Sequence, residues 1–133
     1  MVPWWGLTKG IAKTPAELLT EDYVVASVSY RLYPDVSVKE IIDDAALAVA
    51  WVVKNAKQYS GSLDKIYLSG HSAGGYLVSM ISLDKSYLAR YGVDANMIAG
   101  VIPLSGQMIT HFTERKARGM ERTKIVVDEM APL

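Results

Sequence analysis

Short β-branched runs alternate along this chain with longer stretches whose apolar positions recur every three or four residues. Tyr23 to Tyr30 (Tyr-Val-Val-Ala-Ser-Val-Ser-Tyr) is short and rich in strand formers, and it predicts a strand. Pro34 and Asp35 then break the chain. From Val38 to Tyr59, residues Ile42, Ala45, Ala46, Val49, Val52, Val53 and Ala56 share one helical face. Glu40, Asp43 and Asp44 near the start of that helix and Lys54 and Lys57 near its end suit the helix dipole, and Gly61 is placed to end it. Lys65 to Ser69 predicts a second strand, Gly70 to Gly75 a glycine-rich turn, and Tyr76 to Leu83 a helix. Tyr87 to Gly92 adds a helical turn. Ile98 to Leu104 predicts a third strand, with Pro103 marking its end or an irregularity. His111 to Lys124 is charged and helical or loop-like.

Strands separated by helices call for a parallel sheet covered on both faces. The expectation is an α/β fold: a three-layer α/β/α arrangement with a mostly parallel sheet. With 133 residues, the chain is one domain or part of one.

Composition narrows the function. Half the residues are hydrophobic, so disorder is a poor description. Fourteen Lys and Arg balance fourteen Asp and Glu, leaving no basic field for a nucleic-acid backbone. The longest apolar stretch, Ala45 to Val53, is about half of the roughly 18–20 residues that a membrane span needs. The absence of cysteine removes disulfides, thiolate metal sites and cysteine nucleophiles. No His/Asp/Glu grouping has metal-ligand spacing, and the glycine-rich turn lacks the Lys-Ser/Thr of a phosphate loop, so no cofactor is implied. The opening Met-Val-Pro-Trp-Trp-Gly does not read as a signal peptide, and the compartment stays open.

Gly70-His71-Ser72-Ala73-Gly74 matches Gly-x-Ser-x-Gly and is extended by Gly75. The bare pattern arises by chance too easily to carry an assignment, but a strand leads into it and a helix leads out. That is the setting of a nucleophile elbow. A sharp strand-to-helix turn strains the serine backbone and lifts its hydroxyl clear of the sheet. Side chains two residues before or after would collide, which asks for glycine at Gly70 and Gly74. Small residues from Ala73 to Gly75 let helix and strand approach. In this reading Ser72 is the nucleophile and the Ala73 N–H faces a developing oxyanion, helped by the helix N-terminus. The bland alternative is a strand–turn–helix connection whose serine caps the helix.

The run Ser27-Val28-Ser29-Tyr30-Arg31-Leu32-Tyr33-Pro34, the helix with Asp43-Asp44-Ala45 and Ala50-Trp51-Val52, and Gly70 to Gly75 occur in that order in α/β-hydrolase esterases and lipases. The chain most resembles the hormone-sensitive-lipase-like carboxylesterases and their bacterial relatives, over about residues 20 to 106. The resemblance implies a serine hydrolase of small carboxylic esters working through an acyl-enzyme. It also implies a structural ion pair between Arg31 and Asp44. Amidase or peptidase chemistry on the same fold, and a non-catalytic remnant or interaction module, remain alternatives.

The family pattern also has parts with no counterpart here. The oxyanion loop would end where Met1 to Gly6 stand, and the triad order Ser, acid, His places acid and base beyond Leu133. The expectation is a partial α/β-hydrolase domain spanning residues 1 to 133. The family's strand between those matching Tyr23–Tyr30 and Lys65–Ser69 is then missing. Those two segments must leave a gap or pair with each other, and exposed strand edges would invite self-association. The isolated chain is expected to be marginal or rearranged unless a partner supplies that strand.

The remaining candidates are weaker. His71 is expected to serve motif packing. His111 could line an acyl pocket or substitute as base, but a solvated loop histidine is preferred because its position breaks the triad order. Asp128 and Glu129 could be imagined as the acid, with a solvated turn preferred. Asp84 and Asp94 read as turn or cap residues. Trp4, Trp5 and Tyr33 border the substrate mouth or simply pack.

Overall fold

The computed structural model describes residues 23–121 and 123–132. Trp4 and Trp5, and the Met1–Gly6 segment, lie outside the described residues. Helix α1 spans Val38–Asn55 and continues as a 3-10 turn over Ala56–Tyr59. Strand β1 is Ile66–His71, helix α2 is Ala73–Leu83, and a short helix α3 covers Ser86–Ala89. Strand β2 is Ile98–Leu104, and helix α4 is Phe112–Ala117.

Helix α1 begins with a reciprocal capping box. The Glu40 N–H donates to Ser37 Oγ, while the Ser37 N–H donates to the Glu40 carboxylate at 2.9 Å. It buries Ile41, Ile42, Ala45, Ala46 and Val49 against α2 and α3. The 3-10 turn that follows closes on Ser60, which adopts the left-handed conformation (φ 64). Ser60, one residue before Gly61, therefore takes the left-handed cap.

β1 and β2 pair in parallel, from Ile66 opposite Ile98 to His71 opposite Leu104. The α/β class and the parallel sheet agree with expectation. Ile66 and Leu68 of β1 face the same core as Tyr76, Leu77, Met80 and Ile81 of α2. The opposite face carries Tyr67, Ile102 and Leu104, each more than half exposed. Among the described residues the helices thus cover one face of the sheet, in two layers. Pro103 sits inside β2. Leu104 turns its carbonyl to β1 to accept from the Ser72 N–H, so Pro103 faces its ring nitrogen to the outer edge, where no ladder donor is needed.

Tyr23–Tyr30 is not a strand. It has no regular secondary structure and is mostly exposed, with Tyr30 packed on the core and a groove of about 190 Å³ between Ala26–Ser29 and Ala48, Trp51 and Val52 of α1. Strand propensity becomes a strand only through a ladder, and β1 pairs with β2 alone among the described residues. Among the described residues the two segments do not pair with each other. Arg31 ties this segment down: its guanidinium grips Asp44 at 2.7 and 2.9 Å and its N–H donates to the same carboxylate. The Asp44 carboxyl is held below the usual carboxylate range by those Arg31 hydrogen bonds.

No helix of the described residues is long and apolar enough to cross a membrane.

Candidate active site

The strand–turn–helix connection at Ser72 is closely built. β1 ends at His71, α2 starts at Ala73, and Ser72 alone makes the turn, at φ 54 and ψ −114. Such a conformation is costly for a residue with a side chain, about 1–3 kcal/mol, and persists only where surroundings enforce it. They do so on both sides of Ser72. Its N–H donates to Leu104 O at 2.8 Å, and its carbonyl accepts from the Tyr76 N–H at 3.1 Å. The Ser72 side chain makes no capping hydrogen bond, which removes the bland cap reading. The residue is exposed, and its hydroxyl has no hydrogen-bond partner among the described residues. Ala73 is the first residue of α2, so its N–H is one of the four a helix leaves without an intrahelical acceptor.

The glycines divide by what they avoid. A Cβ at Gly70 would stand 2.3 Å from Gly74 O, and one at Gly75 would stand 2.9 Å from Gly106 Cα and 3.1 Å from Gly70 O. At Gly74 a Cβ would meet nothing within 4 Å, so the collision argument fails there. The reason is one-sided packing: Gly70 and Gly75 face the strand–helix contact, whereas Gly74 faces open space. His71 is exposed at the end of β1, beside Leu104.

His111 is not a solvated loop histidine. It is buried, its ring 5.0 Å from that of Tyr76 and 4.5 Å from that of Phe112. Its Nδ1 accepts from the Thr113 N–H and so caps α4. Burial, and then the nearby Arg115 cation, push its pKa below the ordinary value. With Nδ1 accepting, the neutral ring carries its proton on Nε2, the wrong tautomer for taking a proton there.

Asp128 and Glu129 lie in the expected turn, with Glu129 exposed, but Asp128 is tethered there. It accepts from Thr110 Oγ1 at 2.7 Å and the Met130 N–H at 2.9 Å, and it pairs with Arg118 at 2.7 Å. These hydrogen bonds, Thr110 first, hold its carboxyl below the usual range. Arg118 also grips Glu114, and the buried Tyr76 hydroxyl donates to Met130 O at 2.6 Å. Burial pushes that phenol well above its ordinary pKa. Asp128 therefore ties the 128–131 turn to Thr110 and to Arg118 at the end of α4, while Tyr76 ties it to α2. Asp84 and Asp94 accept from the Ser86 and Asn96 N–H groups, as turn residues should.

The sequence reading passed over Ser105 and Gly106. Ser105 has φ 53 and follows β2 directly, as Ser72 follows β1. The Ser-Gly dipeptide at a strand end was the available signal. Among the described residues no group of three or more His, Cys, Asp or Glu could hold a metal ion.

A strand of a parallel sheet feeds a strained serine and then a close-packed helix, the setting that a nucleophile elbow requires. Residues 7–133 match the family model BD-FAE, and the chain belongs to this family of α/β-hydrolases, an esterase- and lipase-type group. It is 27% identical to a probable isoprenylcysteine alpha-carbonyl methylesterase of Arabidopsis thaliana over 84% of this chain and 27% of that protein. Over 44% of this chain it is 41% identical to the versiconal hemiacetal acetate esterase of Dothistroma septosporum, covering 18% of that enzyme. It is 38% identical to the esterase LipI of Mycobacterium tuberculosis over 46% of this chain and 19% of LipI. The chain thus spans about a quarter of the length of the plant relative. No solved structure gives a significant match.

Proposed function

We propose that this chain carries the nucleophile of a serine esterase acting on small carboxylic esters. The carrying observation is Ser72: a strained, exposed serine between β1 and α2 with its hydroxyl unengaged among the described residues. The hydroxyl attacks the ester carbonyl, and the Ala73 N–H, at the positive end of α2, stabilises the oxyanion. A base carries the serine proton to the departing alkoxide, which leaves as the alcohol, and water then hydrolyses the acyl-enzyme to the acid and free Ser72. Names of the relatives that contain methylesterase, acetate esterase and esterase support ester substrates.

The base and acid belong, in this reading, to hydrolase sequence outside residues 1–133. Two observations support it. His111 has its Nδ1 committed to Thr113, and Asp128 is committed to Thr110, Met130 and Arg118. The same two observations favour, for the chain taken alone, a second reading as a non-catalytic hydrolase-fold module.

The test is covalent labelling of the purified chain with a fluorophosphonate, wild type beside Ser72→Ala. Labelling that disappears in Ser72→Ala establishes an activated nucleophile. Equal labelling of both proteins refutes the assignment of Ser72. A folded wild-type chain that takes no label establishes the non-catalytic reading for this chain.

A further inference from the structure

Gly106 and Gly75 meet backbone to backbone. A Cβ at Gly106 would stand 2.7 Å from the Gly75 carbonyl carbon and 2.9 Å from Tyr76 N, well inside the 3.4 Å of ordinary contact. The contact is reciprocal, since a Cβ at Gly75 would stand 2.9 Å from Gly106 Cα. Tyr76 N is also the donor that holds the Ser72 carbonyl, at 3.1 Å. Two residues before Gly106, the Leu104 carbonyl holds the Ser72 N–H at 2.8 Å. The 104–106 segment therefore holds the Ser72 N–H directly and packs against the Tyr76 N that holds the Ser72 carbonyl. Between the two contacts Ser105 is bent to φ 53, which turns the chain back onto α2. The buried Tyr76 ring, its hydroxyl bonded to Met130 O, keeps the first turn of α2 from retreating.

We propose that Gly106 is a positioning residue for Ser72: its bare Cα lets the turn after β2 seat against the Gly75–Tyr76 peptide and hold the nucleophile and the Ala73 N–H in register. The proposal rests on the acyl-transfer reading of Ser72 for its catalytic consequence, while the clamp itself is a statement about geometry. A methyl at position 106 must push the Gly75–Tyr76 peptide away. A misplacement of about 1 Å at a reacting group costs on the order of 10²-fold in rate, and a shift of part of that distance roughly tenfold.

The experiment compares Gly106→Ala with Gly119→Ala. Gly119 has a positive φ, 69, where Gly106 has none, but open space where its Cβ would stand, and it lies beyond α4. Three quantities are read: the thermal midpoint, the amide resonance of Ala73, and the limiting rate of fluorophosphonate labelling. Gly106→Ala is expected to move the Ala73 resonance and to lower the limiting labelling rate roughly tenfold, with the half-saturating reagent concentration unchanged. Gly119→Ala is expected to lower the midpoint while leaving both other readings as in wild type. A folded Gly106→Ala with the Ala73 resonance unmoved overturns the proposal, as does a loss of rate that Gly119→Ala reproduces at equal midpoint.

If the wild-type chain takes no label, the acyl-transfer reading of this chain fails, and the Ala73 resonance alone decides the clamp. If Gly106→Ala does not fold, Ser105→Gly takes its place. It relaxes the bend without adding an atom and is expected to keep the midpoint while moving the Ala73 resonance. An unmoved resonance in that variant overturns the proposal.

Discussion

Two segments flank α1, and the molecule treats them differently. Ile66–His71 lies against β2, with Ile66 and Leu68 in the core and its end feeding Ser72. Tyr23–Tyr30 lies beside α1 without regular secondary structure, with Tyr23 and Val24 more than half exposed. Tyr23–Tyr30 is the richer of the two in β-branched and aromatic residues, yet it is the one that forms no strand. The difference is a neighbour: among the described residues β1 has a ladder partner and an α-helical cover, whereas the earlier segment lies beside α1 with no ladder partner, tied by the Arg31 grip on Asp44 and the Tyr30 contact. Order in this chain follows pairing, and the elbow is ordered because three elements close on it at once.

The sharpest way to break that comparison is at Gly70. A methyl there meets Gly74 O at 2.3 Å, a backbone atom that cannot swing aside. Gly70→Ala is expected to cost about 3 kcal/mol or more, the upper end of overpacking, because strand and helix must separate. Gly74→Ala, two residues beyond the nucleophile and open within 4 Å, is expected to be near neutral or mildly stabilising by helix propensity. Urea midpoints of the two variants check this. Equal losses would show that the elbow is not packed from one side.

A second pair of variants compares the flanking segments themselves. Leu68→Ala removes a side chain from the core and is expected to cost about 2–3 kcal/mol. Val28→Ala, at a position 40% exposed, is expected to stay within about 0.5 kcal/mol. Hydrogen exchange sharpens the same contrast: amides of Tyr67–Ser69 should open only with the sheet, while those of Val24–Val28 exchange by local opening. A Val28→Ala loss as large as that of Leu68→Ala would mean that Tyr23–Tyr30 is held by a partner strand in solution.

How much of this was readable in advance follows the range of the interactions. α1 announces itself by its own period, β2 by a run that ends as expected at Leu104, and the elbow by five consecutive residues. Each is a local pattern. Tyr23–Tyr30 carries the same local pattern and fails, because pairing is not local. The contacts that escaped are likewise distant. Thr110 meets Asp128 across eighteen residues, Tyr76 meets Met130 across fifty-four, and Gly106 meets Gly75 with no period linking them. For the same reason His111 looked like a solvated loop residue. Its burial comes from Tyr76, thirty-five positions earlier, and a ring without a visible partner gives no sign of one.

The smallest expected effect distinguishes His111 as a cap from His111 as a surface histidine. The folded pKa lies below the ordinary value because burial and Arg115 oppose the cation. The folded chain therefore binds the proton less well than the unfolded chain, whose histidine titrates near about 6.5. The stability that His111 contributes is present above that value and is lost as pH falls toward the folded pKa. His111→Phe keeps the ring between Tyr76 and Phe112 but removes the acceptor for the Thr113 N–H. At pH 7.5 it should cost about 1 kcal/mol, the usual worth of an N-cap. Between pH 7.5 and 5 the variant should lose less stability than wild type, so the two curves converge as pH falls. Glu40, Asp44 and Asp128, also depressed, lose their contributions at lower pH and act equally in both proteins. Parallel curves over that range would mean that His111 titrates as a solvated side chain, and that the packing of α4 onto Tyr76 does not hold its ring.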